Sequence, residues 1–346
     1  MTPVAANTKE AELVRSIASN FTRHPLQVNG LMEADAEIIR QPHNANEYLV
    51  LKTDGIHEEI KHQLYTDSYL VGWMAVTAPV SDIAAVGATP TGILLSMILP
   101  RQHQTGRLTE GINDACNQYG IHVLGGDTSF DNFFSVSATV IGHARHNNVM
   151  LRRGMQVGDC LYTTSHLGTG NAYAYSRFFD RSLQITFQPE ARLKESQLVA
   201  QYATSCTDTS DGLFPALAAM WEVNRMGCSI DIPLQKLLSQ ESLFVHRNAK
   251  LPDWMLLAGP HGEYELLFTI PAGKQQEFER DAKQEGLSPL YIGRIISDEK
   301  IQFITGTAGI QCHPAFIADM FHEANEDIPQ YFELLKQQHN TWSRKM

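Results

Sequence analysis

The chain of 346 residues sets 27 Lys and Arg against 38 Asp and Glu, a formal net charge of -11, with 43% hydrophobic and 19% charged residues. That composition excludes a disordered chain, supplies a core for one large or two moderate domains, and argues against a broad nucleic-acid-binding face, which needs a basic surface. Five cysteines, widely spaced and never in a C-x-x-C pair, argue against a disulfide framework or a structural zinc site and point to a reducing cytoplasm.

Residues 1–21 lack the apolar core of a signal peptide and read as a short amphipathic helix. From there strand-like and helix-like spacing alternate, which predicts an α/β or α+β architecture. Residues 47–53 (EYLVLKT) read as a strand ending on Asp54. Residues 68–86 place Leu70, Trp73, Met74 and Ala78 at helical spacing, with Pro79 predicting a kink. Residues 92–99 read as a buried strand, far too short to span a bilayer. Next come a helix over 108–119 closed by Gly120, a strand over 121–124 ending in Gly125-Gly126-Asp127, and a strand over 133–143.

The pattern weakens over 147–158, which divides the chain into an expected N-terminal domain (1–148) and C-terminal domain (149–346). Beyond it, 160–164 reads as a strand and 165–170 as a loop feeding a helix. Helices are expected over 190–202 and 212–226, strands over 264–270 and 292–296, and a polar helical extension over 314–346.

No Walker phosphate loop, complete G-x-G-x-x-G, H-E-x-x-H or G-x-S-x-G is present. Gly168-Thr169-Gly170 opens a helix, where its amides could meet an anion, although a plain turn is the favoured reading. The informative residues are aspartates beside small residues: Asp54 in T-D-G, Asp82 in S-D-I-A-A, Asp127 in G-G-D-T, and Asp208 and Asp211 in D-T-S-D-G-L. Singly, each is ordinary turn or cap chemistry. Converging in one cleft, they would repel unless hard cations sat between them, and Mg²⁺ takes oxygen ligands and bridges carboxylates to phosphates.

These motifs occur in order with others: VSDIAAVGATPTGILLSMILP (80–100), YGIHVLGGDTS (119–129), VIGHARHNNVMLRRGMQVGD (140–159), DTSDGL (208–213) and GEYELLFTIP (262–271). Over roughly residues 30–305 the sequence resembles the thiamine-monophosphate kinases, within the aminoimidazole ribonucleotide (AIR) synthetase, or PurM-like, superfamily. The resemblance implies a two-domain α/β (α+β) fold. An N-terminal sheet domain forms a barrel across a homodimer, and the C-terminal domain is an α/β sandwich. It implies ATP bound without a Walker loop through several aspartate-held Mg²⁺ ions near the dimer interface, and transfer of phosphate from ATP to thiamine monophosphate in the cytoplasm, with neither nucleic acid nor membrane as partner.

Carried over by motif, Asp35, Thr53, Asp54, Asp82, Asp127, Asp208 and Asp211 would hold metal, with Asp82 and Asp211 catalytic. Gly126, Asp127, Arg152 and Ser210 would contact ATP, and His62 and Glu263 the acceptor. Without the resemblance, Arg152-Arg153 reads equally well as a solvated basic turn. The departures lie on the acceptor side. The first acidic pair has become Ala34-Asp35; over 53–63 the substrate-facing histidine corresponds to His62, to His57 or to neither; the G-G-E-D-Y pattern has become Pro260-His261-Gly262-Glu263-Tyr264; and a segment with Phe332 and Trp342 replaces the aromatic C-terminal motif. Two other readings follow: a related ATP-dependent enzyme with a different small-molecule acceptor, or a catalytically weakened nucleotide-binding paralogue.

Overall fold

A computed structural model describes residues 7–102 and 105–344; the parts of the expected terminal helices that fall on 1–6 and 345–346 lie outside the described residues. Two sheets carry the chain. The first is built from β1 (Glu37–Gln41), β2 (Asn44–Gly55), β3 (Thr89–Leu99), β4 (His122–Phe130) and β5 (Ser135–Arg145), in the order β1-β2-β5-β3-β4. The second is built from β6 (Cys160–Thr163), β7 (Ser205–Asp208), β8 (Gly227–Ile230), β9 (Leu266–Ile270), β10 (Leu290–Ile296), β11 (Ile301–Thr305) and β12 (Ala308–Cys312), in the order β12-β11-β8-β10-β6-β9-β7. Helices α1 (Lys9–Ala18), α2 (His57–Lys61), α3 (Ser68–Ala85), α4 (Thr105–Tyr119), α5 (Thr169–Phe178), α6 (Leu193–Val199), α7 (Leu213–Asn224), α8 (Gln240–Ala249), α9 (Gln275–Gln284), α10 (Pro314–Ala318), α11 (Met320–Glu323) and α12 (Ile328–Ser343) connect and cover them. No helix among the described residues is long and apolar enough to cross a membrane.

Period-2 patterning shapes the first sheet. On β5, Val136, Ala138, Val140 and Ala144 turn inward while their neighbours are half-buried or exposed. Helix α3 lies on that inward face. Every residue from Leu70 to Ala85 is buried, so the helix is apolar all round rather than amphipathic. It continues past Pro79, the residue at which the sequence predicts a kink. Burial on all sides explains its persistence: β2 and β5 pack on one side, α4 on a second and β7 on a third. The α3–α4 crossing is close because glycines face each other's backbone. A Cβ on Gly72 would meet Leu108 O at 2.1 Å, and one on Gly111 would meet Tyr69 O at 2.0 Å.

Strand β4 corrects a boundary. The sequence reading ends it before Gly125, yet it continues through Gly125-Gly126-Asp127 to Phe130, because the parallel ladder with β3 pairs Leu95 with Gly126 and Ser96 with Asp127. A Cβ on Gly126 would sit 1.9 Å from Leu95 O, so only glycine permits that pairing. Strands β1, β7, β8, β11 and β12 were not read from the sequence, and the helix expected over 190–202 shortens to α6. The C-terminal extension is firmly packed: Trp342 of α12 meets Trp254 edge-on at 4.8 Å between ring centroids and is buried with it. At the other end, α1 docks on the C-terminal half, with Arg15 3.1 Å from Glu222 and the Lys9 amide donating to Asp319 Oδ1 at 3.0 Å.

Candidate active site

The last turns of α3 carry Asp82, the end of β7 carries Asp208, and the bend before β1 carries Asp35. All three are buried, and each offers an oxygen lying within 4.8 Å of the others. The site thus forms where the two sheets meet through α3. Bare carboxylates that close and desolvated repel strongly. The effect is visible in their titration: burial and then Asp35 push Asp208 up to about 6, and burial pushes Asp82 well above the ordinary carboxylate range despite the relief given by Lys52.

The surrounding groups divide the load unequally. Arg152, on the loop before β6, donates from Nη2 to Asp35 Oδ1 at 2.6 Å and from Nε to the same oxygen and to Thr207 Oγ1, each at 3.2 Å. Its backbone is fixed as well, since its amide donates to Glu33 O and its carbonyl accepts from Asn224 Nδ2, both at 2.7 Å. Lys52 of β2 reaches Asp82 Oδ2 at 3.2 Å. Asp208 receives only neutral donors, Ser81 Oγ at 2.6 Å and Ser210 Oγ at 2.9 Å. One oxygen is left over: Asp35 Oδ2 is buried with no hydrogen-bond partner. An orphaned carboxylate oxygen facing a cluster of hard oxygen donors fits a divalent cation such as Mg²⁺.

Asp208 carries the cluster to the wall of a cleft of about 430 Å³, which also includes Arg152, Thr207, Ser210 and Asp211; Asp35 and Asp82 are buried behind it. Its rim is acidic, with Glu10 from α1, Glu58 and Glu59 from α2, and Asp319 and Glu326 from the extension; Arg152 is the one Arg or Lys lining it among the described residues. Asp211 is open to the cleft yet crowded by protein, and that crowding followed by the charges of Glu10 and Asp208 pushes its carboxyl up. Burial likewise pushes Glu59 up to about 7. A cleft of this sign repels a polyphosphate unless cations are supplied.

The other expected site residues are distributed differently. Asp54 stands two residues beyond Lys52, close enough that its charge is felt by Lys52 and Asp82, and its Oδ1 accepts from the Gly55 amide at 2.8 Å. The Thr53 hydroxyl points to the opposite face, where it pairs with Thr139 Oγ1 at 2.8 Å, and is not among the groups brought together. Gly126 and Asp127 are exposed on β4. The lateral row Asp54–Ala138–Leu95–Gly126 crosses three strand spacings, roughly 14 Å, so one copy of the chain does not bring Asp127 to the cluster. His62 lines the cleft beside His261, whose burial, followed by the nearness of His62, lowers its pKa to about 4; His261 Nε2 is buried without a partner.

Glu263, which the resemblance puts against the acceptor, is buried, with Oε2 accepting from the Gly168 amide at 2.5 Å and Oε1 from Thr209 Oγ1 at 2.9 Å. The Gly168 amide of the Gly168-Thr169-Gly170 turn is taken up by the protein's own Glu263 carboxyl. Lys52 was missed in the sequence, although period 2 along β2 sets it on the same face as buried Tyr48 and Val50, where a lysine needs a partner.

The chain is similar to known proteins over most of its length. Residues 33–144 match the family model "AIR synthase related protein, N-terminal domain". The thiamine-monophosphate kinase of Buchnera aphidicola subsp. Schizaphis graminum is 28% identical over 309 residues, covering 84% of this chain and 92% of the relative. That of Archaeoglobus fulgidus is 27% identical over 273 residues, covering 76% and 86%. The solved structure of AaThiL complexed with AMPPCP and TMP superposes with a TM-score of 0.68 at 22% identity, covering 87% of this chain and 95% of that one, a likeness of fold. The chain is a relative of the thiamine-monophosphate kinases and carries an AIR-synthase-related N-terminal domain.

Proposed function

We propose that the chain is an ATP- and Mg²⁺-dependent kinase that transfers the γ-phosphoryl group of ATP to thiamine monophosphate, forming thiamine diphosphate and ADP. The observation that carries this reading is the buried Asp35–Asp82–Asp208 cluster, with its orphaned oxygen, reached through Asp208 from a cleft sized for a small-molecule site. Its support from relatives is the kinase similarity over 84% of the chain and the fold shared with a protein solved with AMPPCP and TMP.

Asp35, Asp82 and Asp208 would hold Mg²⁺, with Asp54 and Asp211 at the margins. The ions supply charge neutralisation and alignment when two phosphates are brought together. The remaining work belongs to the chain. Arg152, locked against Asp35 and Thr207, offers a preorganised guanidinium to phosphate oxygens. Ser210 braces Asp208. No general base is needed, because the acceptor's phosphate oxygen is already an ionised nucleophile.

The same reading includes a division of the chain near residue 148, a cytoplasmic setting consistent with the free cysteines, and a homodimer closed through β4. Val123, Leu124, Phe130 and Phe133 leave apolar surface along that edge, and in such a dimer Gly126 and Asp127 lie at the seam.

A second reading changes the acceptor. It is favoured by the cleft's far rim, where His62, His261 and residues of the C-terminal extension, Phe321, His322 and Tyr331, stand where the sequence departs from the family pattern. One assay separates the two: purified protein, ATP and Mg²⁺ are offered thiamine monophosphate beside a panel of other phosphorylated metabolites. Thiamine diphosphate as product is the expected outcome; ATP binding with turnover only on another acceptor would replace it with the second reading.

A further inference from the structure

Three buried carboxylates converge, and the protein answers them with two cations of its own, set differently. Arg152 is a planar fork spread over Asp35 Oδ1 and Thr207. Lys52 is a compact ammonium, and its Nζ lies 3.2 Å from Asp82 Oδ2. The lysine comes from the middle of the sheet, through the same inward face of β2 that buries Tyr48 and Val50.

That position matters for metal binding. A Mg²⁺ ion bound to an oxygen sits about 2.0–2.1 Å from it and brings further ligands around itself. An ammonium 3.2 Å from Asp82 Oδ2 already fills that approach and supplies a positive charge there. Asp208 has only hydroxyl and amide donors, and Asp35, although Arg152 holds its Oδ1 at 2.6 Å, keeps Oδ2 unpartnered. The cluster is therefore asymmetric: Asp82 meets a compact ammonium, Asp35 a planar guanidinium on one oxygen only, and Asp208 no cation.

We infer that Lys52 is a resident cation of the aspartate site, its ammonium holding a position at Asp82 that a divalent ion would otherwise take, so that the wild-type chain binds one divalent ion fewer than the same chain without this lysine. The inference rests on the reading of the cluster as a divalent-metal site. It concerns the number of ions and not the identity of the acceptor.

The test counts metal directly. Mn²⁺ bound per chain is titrated by electron paramagnetic resonance, with AMPPCP present and acceptor absent, for wild type, Lys52→Met, Lys52→Ser and Lys52→Arg. Lys52→Met and Lys52→Ser should each bind about one Mn²⁺ more than wild type, and Lys52→Arg should keep the wild-type count. Thermal unfolding supplies a second readout that a purely structural ion pair would not give. In EDTA the neutral variants should melt lower than wild type, because Asp82 is left buried without its partner, and added Mn²⁺ should restore more of the melting temperature in them than in wild type. An equal Mn²⁺ count in wild type and both neutral variants, with no metal-dependent recovery, overturns the inference. A gained ion in a protein that makes no thiamine diphosphate would overturn the kinase reading and leave Lys52 as inferred.

Discussion

At the scale of single residues, the decisive contrast is between carboxylates that share a load and one that carries it alone. Asp35 accepts from Arg152 and Thr207 through Oδ1 and has nothing on Oδ2. Removing one partner of a buried ion pair usually costs about 3–5 kcal/mol. Here the loss is smaller, because Arg152 still feels Asp82 and Asp208, and the repulsion that Asp35 exerts on Asp208 disappears. Asp35→Asn is therefore predicted to lower stability by less than about 2 kcal/mol in urea unfolding, while turnover falls by at least about 100-fold, since the cluster loses an anionic metal ligand. Activity within a factor of about two of wild type would sink the role given to the cluster. Glu263 behaves differently, as a strut rather than a ligand. Burial outweighs its two hydrogen bonds and pushes it up to about 8 from an ordinary 4.5. The folded state thus keeps a proton that the unfolded chain releases. This stabilisation is complete below about pH 4.5 and is lost as pH rises through about 8. Denaturation midpoints should fall between pH 6 and 9 in wild type and change less in Glu263→Gln. Equal slopes would show that Glu263 is not the group responsible.

At the scale of elements, helix α3 organises the site because it touches both sheets at once, and its neighbours are set by glycine. Gly111 has no room for a side chain against Tyr69 O, and Trp73 N lies 3.0 Å from where its Cβ would stand. Gly111→Ala should force α3 and α4 apart and lower stability by about 1–3 kcal/mol, with some loss of activity because Asp82 rides on the same helix. An unchanged unfolding midpoint would mean that the crossing is looser than described. Much of this level was legible in the sequence. The helical spacing of α3, the strand before Asp54 and the D-T-S-D-G-L turn are long or distinctive patterns, and Asp35, Asp82 and Asp208 do converge. What was not legible has physical reasons. Strands β1, β7, β8, β11 and β12 are four or five residues long, too short for a period to declare itself. Glu263 is carried to the acceptor side by the resemblance, and no one-dimensional pattern tells that its carboxyl is buried against the Gly168 amide. Asp127 read as a strand end because glycine usually breaks a strand, whereas here two glycines let β4 press against β3.

At the scale of the whole molecule, part of the acidic excess behind a net charge of -11 lines a cleft that admits phosphates only with accompanying cations. The same scale poses the question of the β4 edge. Leu124 is 57% exposed and Phe130 59% exposed on a strand whose outer side has no neighbour in the sheet. A long apolar edge left bare is an aggregation hazard, and a second copy laid along it would remove that hazard. It would also bring to the seam the Gly126-Asp127 pair that lies roughly 14 Å across the sheet from Asp54 in a single copy. Dimerisation and catalysis are then one event, and a single substitution can address both. Light scattering after size exclusion should give the mass of two chains for wild type and of one for Leu124→Glu, because a carboxylate buried against an apolar partner costs several kcal/mol. Turnover should fall with the dimer fraction while the melting temperature of the isolated chain changes little, since Leu124 packs against no core within its own subunit. A wild-type protein of single-chain mass at micromolar concentration, or a monomeric variant with full turnover, would detach β4 from the active site and leave the cleft within one chain as the complete catalytic unit.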